Sequence, residues 1–264
     1  MTGAGPEPAV NVMNESETRV ERYRDARARV LARIAAACAR VGRQPDEVTL
    51  VAVSKTVAVE ALRDAVTAGF ELLGENRVQE AAAKAPEVPR AHWQLIGPLQ
   101  SNKARRALDV FEAIQSVDSV DLARRLDRLV PEIRPGARYP VLLQVNVDLD
   151  PAKAGFVPAD LDAALGAVLE LPHLEVGGLM TVGRLTADPT EARGTFRDLR
   201  AASESCRARW PELGSALSMG MSDDFELAIE EGATVVRVGR ALFGERPHTH
   251  GEGSHTHEEP ASGG

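Results

Sequence analysis

Lys55 closes the apolar run Thr49-Leu-Val-Ala-Val-Ser-Lys55, which sets a single cation at the mouth of a buried strand. Its four-carbon stem can lie along apolar neighbours while the desolvated amine loses charge and becomes nucleophilic toward a carbonyl. Taken alone, a lysine so placed is more often a solvated strand cap. The second reactive feature stands near the other end of the chain, in Thr234-Val-Val-Arg-Val-Gly-Arg-Ala-Leu-Phe-Gly244. Period-two alternation puts Val235, Arg237 and Gly239 on one face and Val236 and Val238 on the other, so an arginine is aimed into a strand-lined interior. A guanidinium there needs an acceptor, because an unpaired buried charge is too costly to persist. Glu75 is one candidate, and an aromatic ring nitrogen of a bound cofactor is another. Just beyond, Gly239 and the amides opening a helix near Arg240 offer a phosphate cradle. Ser218 and Ser222, on one face of Leu217-Ser-Met-Gly-Met-Ser222, can add a hydroxyl to it.

The elements that must position these residues follow a regular rhythm of short Val/Ile/Leu runs alternating with amphipathic stretches. Strands are expected at 49–55, 71–75, 93–97, 113–117, 140–147, 174–181, 216–220 and 234–239, with helices between them. Roughly eight such units in about 250 residues predict a closed α/β barrel, a (β/α)8 TIM barrel, whose active site gathers at the carboxyl ends of the strands. Those ends carry Lys55, Gly74-Glu-Asn76, the 97–103 loop, Asn146, Thr181 and Ser218. An open doubly wound sheet is the alternative, but Val53-Ser-Lys-Thr-Val57 lacks the Gly-rich first turn of that fold. An additional N-terminal helix is read from the stripe Val20, Tyr23, Val30, Ile34, Cys38 and Val41. Gly239 to Gly244 has P-loop glycine spacing, yet Glu245-Arg246 stands where Lys-Ser/Thr is required. A Schiff-base lysine, an inward arginine and a phosphate cradle together specify an aldehyde-bearing aromatic phosphate ester, and pyridoxal 5′-phosphate (PLP) fits.

Composition narrows the partners. A net charge of −8 over 264 residues argues against a nucleic-acid surface. No apolar run reaches transmembrane length, and no signal segment is read at the start, so a membrane partner is not expected and a cytoplasmic setting is. Cys38 and Cys206 suggest neither a disulfide framework nor a zinc site. Residues 1–14 and the His-rich 247–264 read as disordered tails around one domain at 15–246. The tail pairs His248/His250 and His255/His257 are read as incidental, so no metal site is expected.

Several motifs in fixed order carry a family resemblance: Val53-Ser-Lys55, Gly74-Glu-Asn76 with Val78-Gln-Glu80, and His92-Trp-Gln-Leu-Ile-Gly-Pro-Leu-Gln-Ser-Asn-Lys103. Gln144-Val-Asn146, Lys153-Ala-Gly155, Gly178-Leu-Met180, Leu217-Ser-Met-Gly-Met-Ser222, and Val236-Arg-Val-Gly239 with Phe243-Gly244 continue it. From about residue 15 to 246 the chain resembles the YggS/PROSC (PLPBP) pyridoxal phosphate homeostasis proteins. The resemblance implies a fold-type III PLP-binding barrel related to the N-terminal domain of alanine racemase, with PLP held as a covalent aldimine on Lys55. It implies that Arg237 faces the pyridine nitrogen, that Ser218 or Ser222 holds the phosphate with the amides of Gly239 and Arg240, and that Asn76 lies near the ring. Arg240 stands where members often have Thr or Ser, and Asp150 where a Glu is usual.

An arginine at the ring nitrogen disfavours its protonation and weakens the electron sink. A two-base racemase also needs a second acid/base group, and only Tyr23 and Tyr139 supply phenols here. The expected protein is a non-catalytic, monomeric PLP carrier that buffers the cofactor and delivers it to PLP-dependent apo-enzymes. A PLP-dependent amino-acid racemase is the alternative.

Overall fold

The computed structural model describes residues 14–183, 186 and 188–244. The carboxyl-terminal tail expected at 247–264, with its histidine pairs, and residues 1–13 lie outside the described residues. Asn14, read from sequence as the end of the first tail, instead caps the first helix. Its side chain accepts from the Glu17 amide while Glu17 accepts from the Asn14 amide, at 2.9 and 3.0 Å.

That helix, α1 (Glu15–Arg40), is followed by β1 (Thr49–Val53), α2 (Val59–Thr67), β2 (Leu72–Glu75), α3 (Val78–Lys84), β3 (His92–Leu95), α4 (Ala104–Val110), β4 (Ala113–Val117) and α5 (Val120–Ile133). The second half runs through β5 (Tyr139–Gln144), α6 (Pro158–Leu169), β6 (Leu174–Met180), α7 (Pro189–Arg209), β7 (Ala216–Ser218), α8 (Phe225–Glu230), β8 (Val235–Val238) and α9 (Arg240–Phe243). The strands pair in parallel in sequence order and β8 closes on β1, with Val51 opposite Arg237. This closure establishes the barrel and excludes the open sheet. Among the described residues no helix is long and apolar enough to cross a membrane.

The helices form where apolar residues recur at three- and four-residue spacing behind a polar cap. Helix α5 is an example: the Ser119 hydroxyl accepts from the Leu122 amide, and Leu122, Leu126, Leu129 and Val130 turn inward. These stripes bury the outer faces of the strands, including Leu73, Leu95, Ile114, Val236 and Val238. Inside the barrel a smaller apolar cluster of Val51, Val53 and Ile96, with Leu72 and Val235 packed against it, lines the side formed by β8, β1, β2 and the end of β3.

The strands end earlier than the sequence suggests, at Val53, Gln144 and Ser218. One residue past those points the amide still donates to the neighbouring strand, from Ser54 to Gly74, Val145 to Met180 and Met219 to Val235, and then the chain turns to other acceptors: Val57 donates to Ser54, and Asn146 donates to the Phe156 carbonyl. The polar residues of the mouth therefore sit on short loops.

Helix α1 buries Val20, Tyr23, Ala26, Val30, Ile34 and Cys38 against the barrel's own helices. Tyr23 meets Phe70 and Phe243 in a mutual aromatic cluster, with ring centroids 5.9 and 5.6 Å away. Phe243 is the last residue of α9, so α1 braces from behind the helix that opens at Gly239. Replacing Tyr23 with Leu, which keeps the apolar bulk and removes two aromatic pairs, is expected to lower stability by about 1–2 kcal/mol in urea unfolding. Leu31→Ala, on the exposed side of the same helix, is expected to stay within about 0.5 kcal/mol.

Candidate functional site

Arg237 lies inside the barrel, 4% exposed. Its Nη1 donates to the Ser218 hydroxyl at 2.6 Å and its Nη2 to the Thr181 carbonyl at 2.7 Å. Both acceptors are neutral, and among the described residues no carboxylate forms an ion pair with this guanidinium. Burial pushes its pKa down to about 10, while the charge of Asp224 opposes the shift. It thus remains a cation at neutral pH.

Glu75, the sequence candidate for its acceptor, faces the other way. Leu72 and Gly74 turn into the barrel, so Glu75 turns outward toward α3. There it accepts from Lys84 Nζ at 2.5 Å and from the Ser54 hydroxyl at 3.2 Å. Lys84 also donates to the Ser54 carbonyl at 3.1 Å. This buried clamp joins the residue before Lys55 to the residue before Asn76.

Lys55 stands two residues past β1 and is half-buried. Thr56, immediately after it, takes a left-handed φ of 65°, an unusual conformation for a β-branched residue. Such strain persists only when surrounding structure enforces it. Here a tight turn brackets it, the Val57 amide donating to the Ser54 carbonyl at 3.1 Å while the Ser54 amide donates to the Gly74 carbonyl at 2.9 Å. Asn76 closes the neighbouring strand end. A Cβ at Gly97 would stand 2.4 Å from the Asn76 carbonyl oxygen, so Gly97 permits a close approach that seats Asn76 at the mouth. The Ser116 hydroxyl fixes Gly97 in turn, donating to its carbonyl at 2.6 Å.

The structure separates the two serines that period-two alternation places together. Ser218 is fully buried beneath the mouth, accepting from Arg237 and donating to Gln115 Oε1 at 2.6 Å. Alternation stops there because β7 ends and Gly220 turns at φ +90°, where a Cβ would meet that of Ala228 at 2.6 Å. Ser222 lies beyond the turn, and its hydroxyl accepts from the Gly239 amide at 3.2 Å. Ser222, Gly239 and the first turn of α9 thus come together. The exposed Arg240 side chain pairs with Asp223 on the rim.

Sequence reasoning missed Gln115, Gln94 and the Thr181 carbonyl. Gln115 Nε2 donates to Gln94 Oε1 at 2.5 Å. A glutamine within the apolar run 113–117 was the available signal, but a single sequence does not reveal its partner across the barrel. On the β5 side, the Asn146 side chain binds the Asp150 and Lys153 carbonyls and accepts from the Asp150 amide. The Asp150 carboxylate accepts from the Ala152 amide at 2.9 Å, so it builds this turn. Among the described residues no group of three or more His, Cys, Asp or Glu side chains could hold a metal ion.

The donors suit a phosphorylated pyridine aldehyde. An amine stands at the rim, a buried cation without a carboxylate partner lies below it, and a hydroxyl and amides gather at α9. The Glu75–Lys84 clamp yields a prediction of its own. Lys84→Met leaves a buried carboxylate uncompensated and is expected to cost about 3–5 kcal/mol in urea unfolding. The paired change Glu75→Leu with Lys84→Met is expected to recover most of that loss.

A family model described as the N-terminal domain of alanine racemase matches residues 27–247. The pyridoxal phosphate homeostasis protein of Pseudomonas aeruginosa is 44% identical over 224 residues, spanning 83% of this chain and 94% of that protein. Its Escherichia coli namesake is 38% identical over 227 residues, spanning 84% and 96%. The structure of PipY from Synechococcus elongatus PCC7942 with PLP bound superposes with a TM-score of 0.71 at 44% identity, covering 80% of this chain and 100% of that one. Alanine racemase from Corynebacterium glutamicum shares the fold alone, with a TM-score of 0.67 at 18% identity over 90% of this chain and 64% of its own. The chain therefore belongs to the alanine racemase N-terminal domain family and, within it, to the pyridoxal phosphate homeostasis proteins.

Proposed function

We propose that this protein binds PLP at the barrel mouth, buffers it and hands it to PLP-dependent apo-enzymes. The observation that carries the reading is Arg237, a buried guanidinium on the strand next to the one that leads to Lys55, whose hydrogen-bond acceptors among the described residues are neutral oxygens. A pyridine nitrogen is the acceptor that such a donor accommodates without a second charge. Lys55 would hold the cofactor covalently through its amine, PLP when bound supplying the aldehyde for that attachment. Ser222 and the amides of Gly239 and Arg240 would hold the phosphate, and Asn76 would flank the ring. Ser218 acts from below, through Arg237.

A holding role is favoured over catalysis by what the remaining groups do. Arg237 stays protonated and donates, so it leaves the ring nitrogen without a proton and limits carbanion chemistry. Neither phenol serves as a second base at the mouth. Tyr23 is buried in the α1 cluster, and the Tyr139 hydroxyl, at the amino end of β5, donates to the Phe111 carbonyl at 2.7 Å. Burial pushes that hydroxyl well above the usual phenol range. A monomer in the cytoplasm suits this role, and the buried, unpaired Cys38 and Cys206 suit a reducing compartment.

Borohydride reduction of PLP-loaded protein followed by peptide mass spectrometry is expected to place one pyridoxyl group on Lys55. Lys55→Ala is expected to lose both that adduct and the visible absorbance of the loaded protein. In steady-state assays the loaded protein is expected to restore activity to a PLP-dependent apo-enzyme while racemising alanine no faster than background. Robust racemisation would refute the carrier role.

A further inference from the structure

We propose that Gln115 is a positioning residue for the cofactor, acting through Ser218 to aim the Arg237 guanidinium. The inference rests on the PLP reading above. A guanidinium only donates, so the Ser218 oxygen must accept from Nη1, and its single proton must go elsewhere. It goes to Gln115 Oε1 at 2.6 Å. That contact fixes the Gln115 carboxamide, whose nitrogen then donates to Gln94 Oε1 at 2.5 Å. The sequence Arg237, Ser218, Gln115, Gln94 is therefore one file of donors, all pointing away from the cation.

The file crosses the barrel. Strands β4 and β7 are not neighbours, so the hydrogen bond between Ser218 and Gln115 can form only through the interior. Ser218 and Gln115 are 0% and 2% exposed, which excludes bulk water as a substitute acceptor. The second prong of Arg237 is fixed independently. Thr181, whose carbonyl receives Nη2, is held by its amide on Ser218 O at 3.0 Å and by its hydroxyl on Val145 O at 2.8 Å. Two fixed acceptors define the plane of the guanidinium, and one of them depends on Gln115.

Gln115→Leu removes the acceptor for the Ser218 proton, which then competes with Arg237 for the remaining oxygens. PLP affinity is expected to fall about tenfold, with a shifted visible absorbance for the bound cofactor. In an Arg237→Met background, Gln115→Leu is expected to add no further loss, because the group it aims is gone. Gln94→Leu, one link farther out, is expected to act in the same direction more weakly and serves if Gln115→Leu does not fold. Unchanged affinity and absorbance in both leucine variants, or an equal loss with and without Arg237, would overturn the relay alone. Failure of the unsubstituted protein to bind PLP at Lys55 would overturn the relay and the PLP reading together.

Discussion

A guanidinium kept charged at neutral pH inside a closed barrel is the constraint around which this site is arranged. Desolvation opposes the charge, and among the described residues the direct hydrogen bonds that answer it come from dipoles, with Asp224 acting only through its field: a serine hydroxyl, a backbone carbonyl and a chain of carboxamides behind the hydroxyl. A carboxylate partner would hold the cation more tightly, but it would also neutralise the field that an acceptor at the mouth experiences. Neutral partners leave Arg237 charged, oriented and able to serve one more acceptor.

The rim is fixed by backbone devices instead of by length of strand. Lys84 draws together the carbonyl of Ser54 and the carboxylate of Glu75, and thereby the ends of β1 and β2 that present Lys55 and Asn76. Gly97 lets the β3 loop press on Asn76, and the left-handed Thr56 turns the chain sharply after Lys55. On the opposite side, Gly220 ends the alternation of β7 and carries Ser222 up to Gly239. Helix α1 completes the frame, because the cluster of Tyr23, Phe70 and Phe243 braces α9 from outside the barrel. Lys55, Arg237 and the Ser222–Gly239 contact thus rest on separate supports at the carboxyl ends of the strands.

A cofactor carrier and a racemase can share such a mouth and differ in what faces it. Both tyrosines here are occupied in packing and structural hydrogen bonds. The protein's own groups can then grip the cofactor, but among the described residues neither phenol is placed to move a substrate proton from the second face.

Much of this was legible in the sequence. The alternation of short apolar runs with amphipathic stretches determined the order of β/α units, and period two determined that Arg237 faces inward. The apolar run before Lys55 set that amine at a strand mouth, while either Ser218 or Ser222 could have been the serine at Gly239. What only tertiary structure decided was height and company. Periodicity tells which side of a strand a residue occupies, but not which residues of non-adjacent strands share its level, because that depends on the stagger of the whole closed barrel. So Glu75 could stand as a partner for Arg237 until the register turned it toward Lys84, and Ser218 could be grouped with Ser222 until Gly220 broke the alternation between them. Gln115 acquires its meaning only when barrel closure sets β4 opposite β7, since a hydrogen bond across an interior has no local signature in either strand.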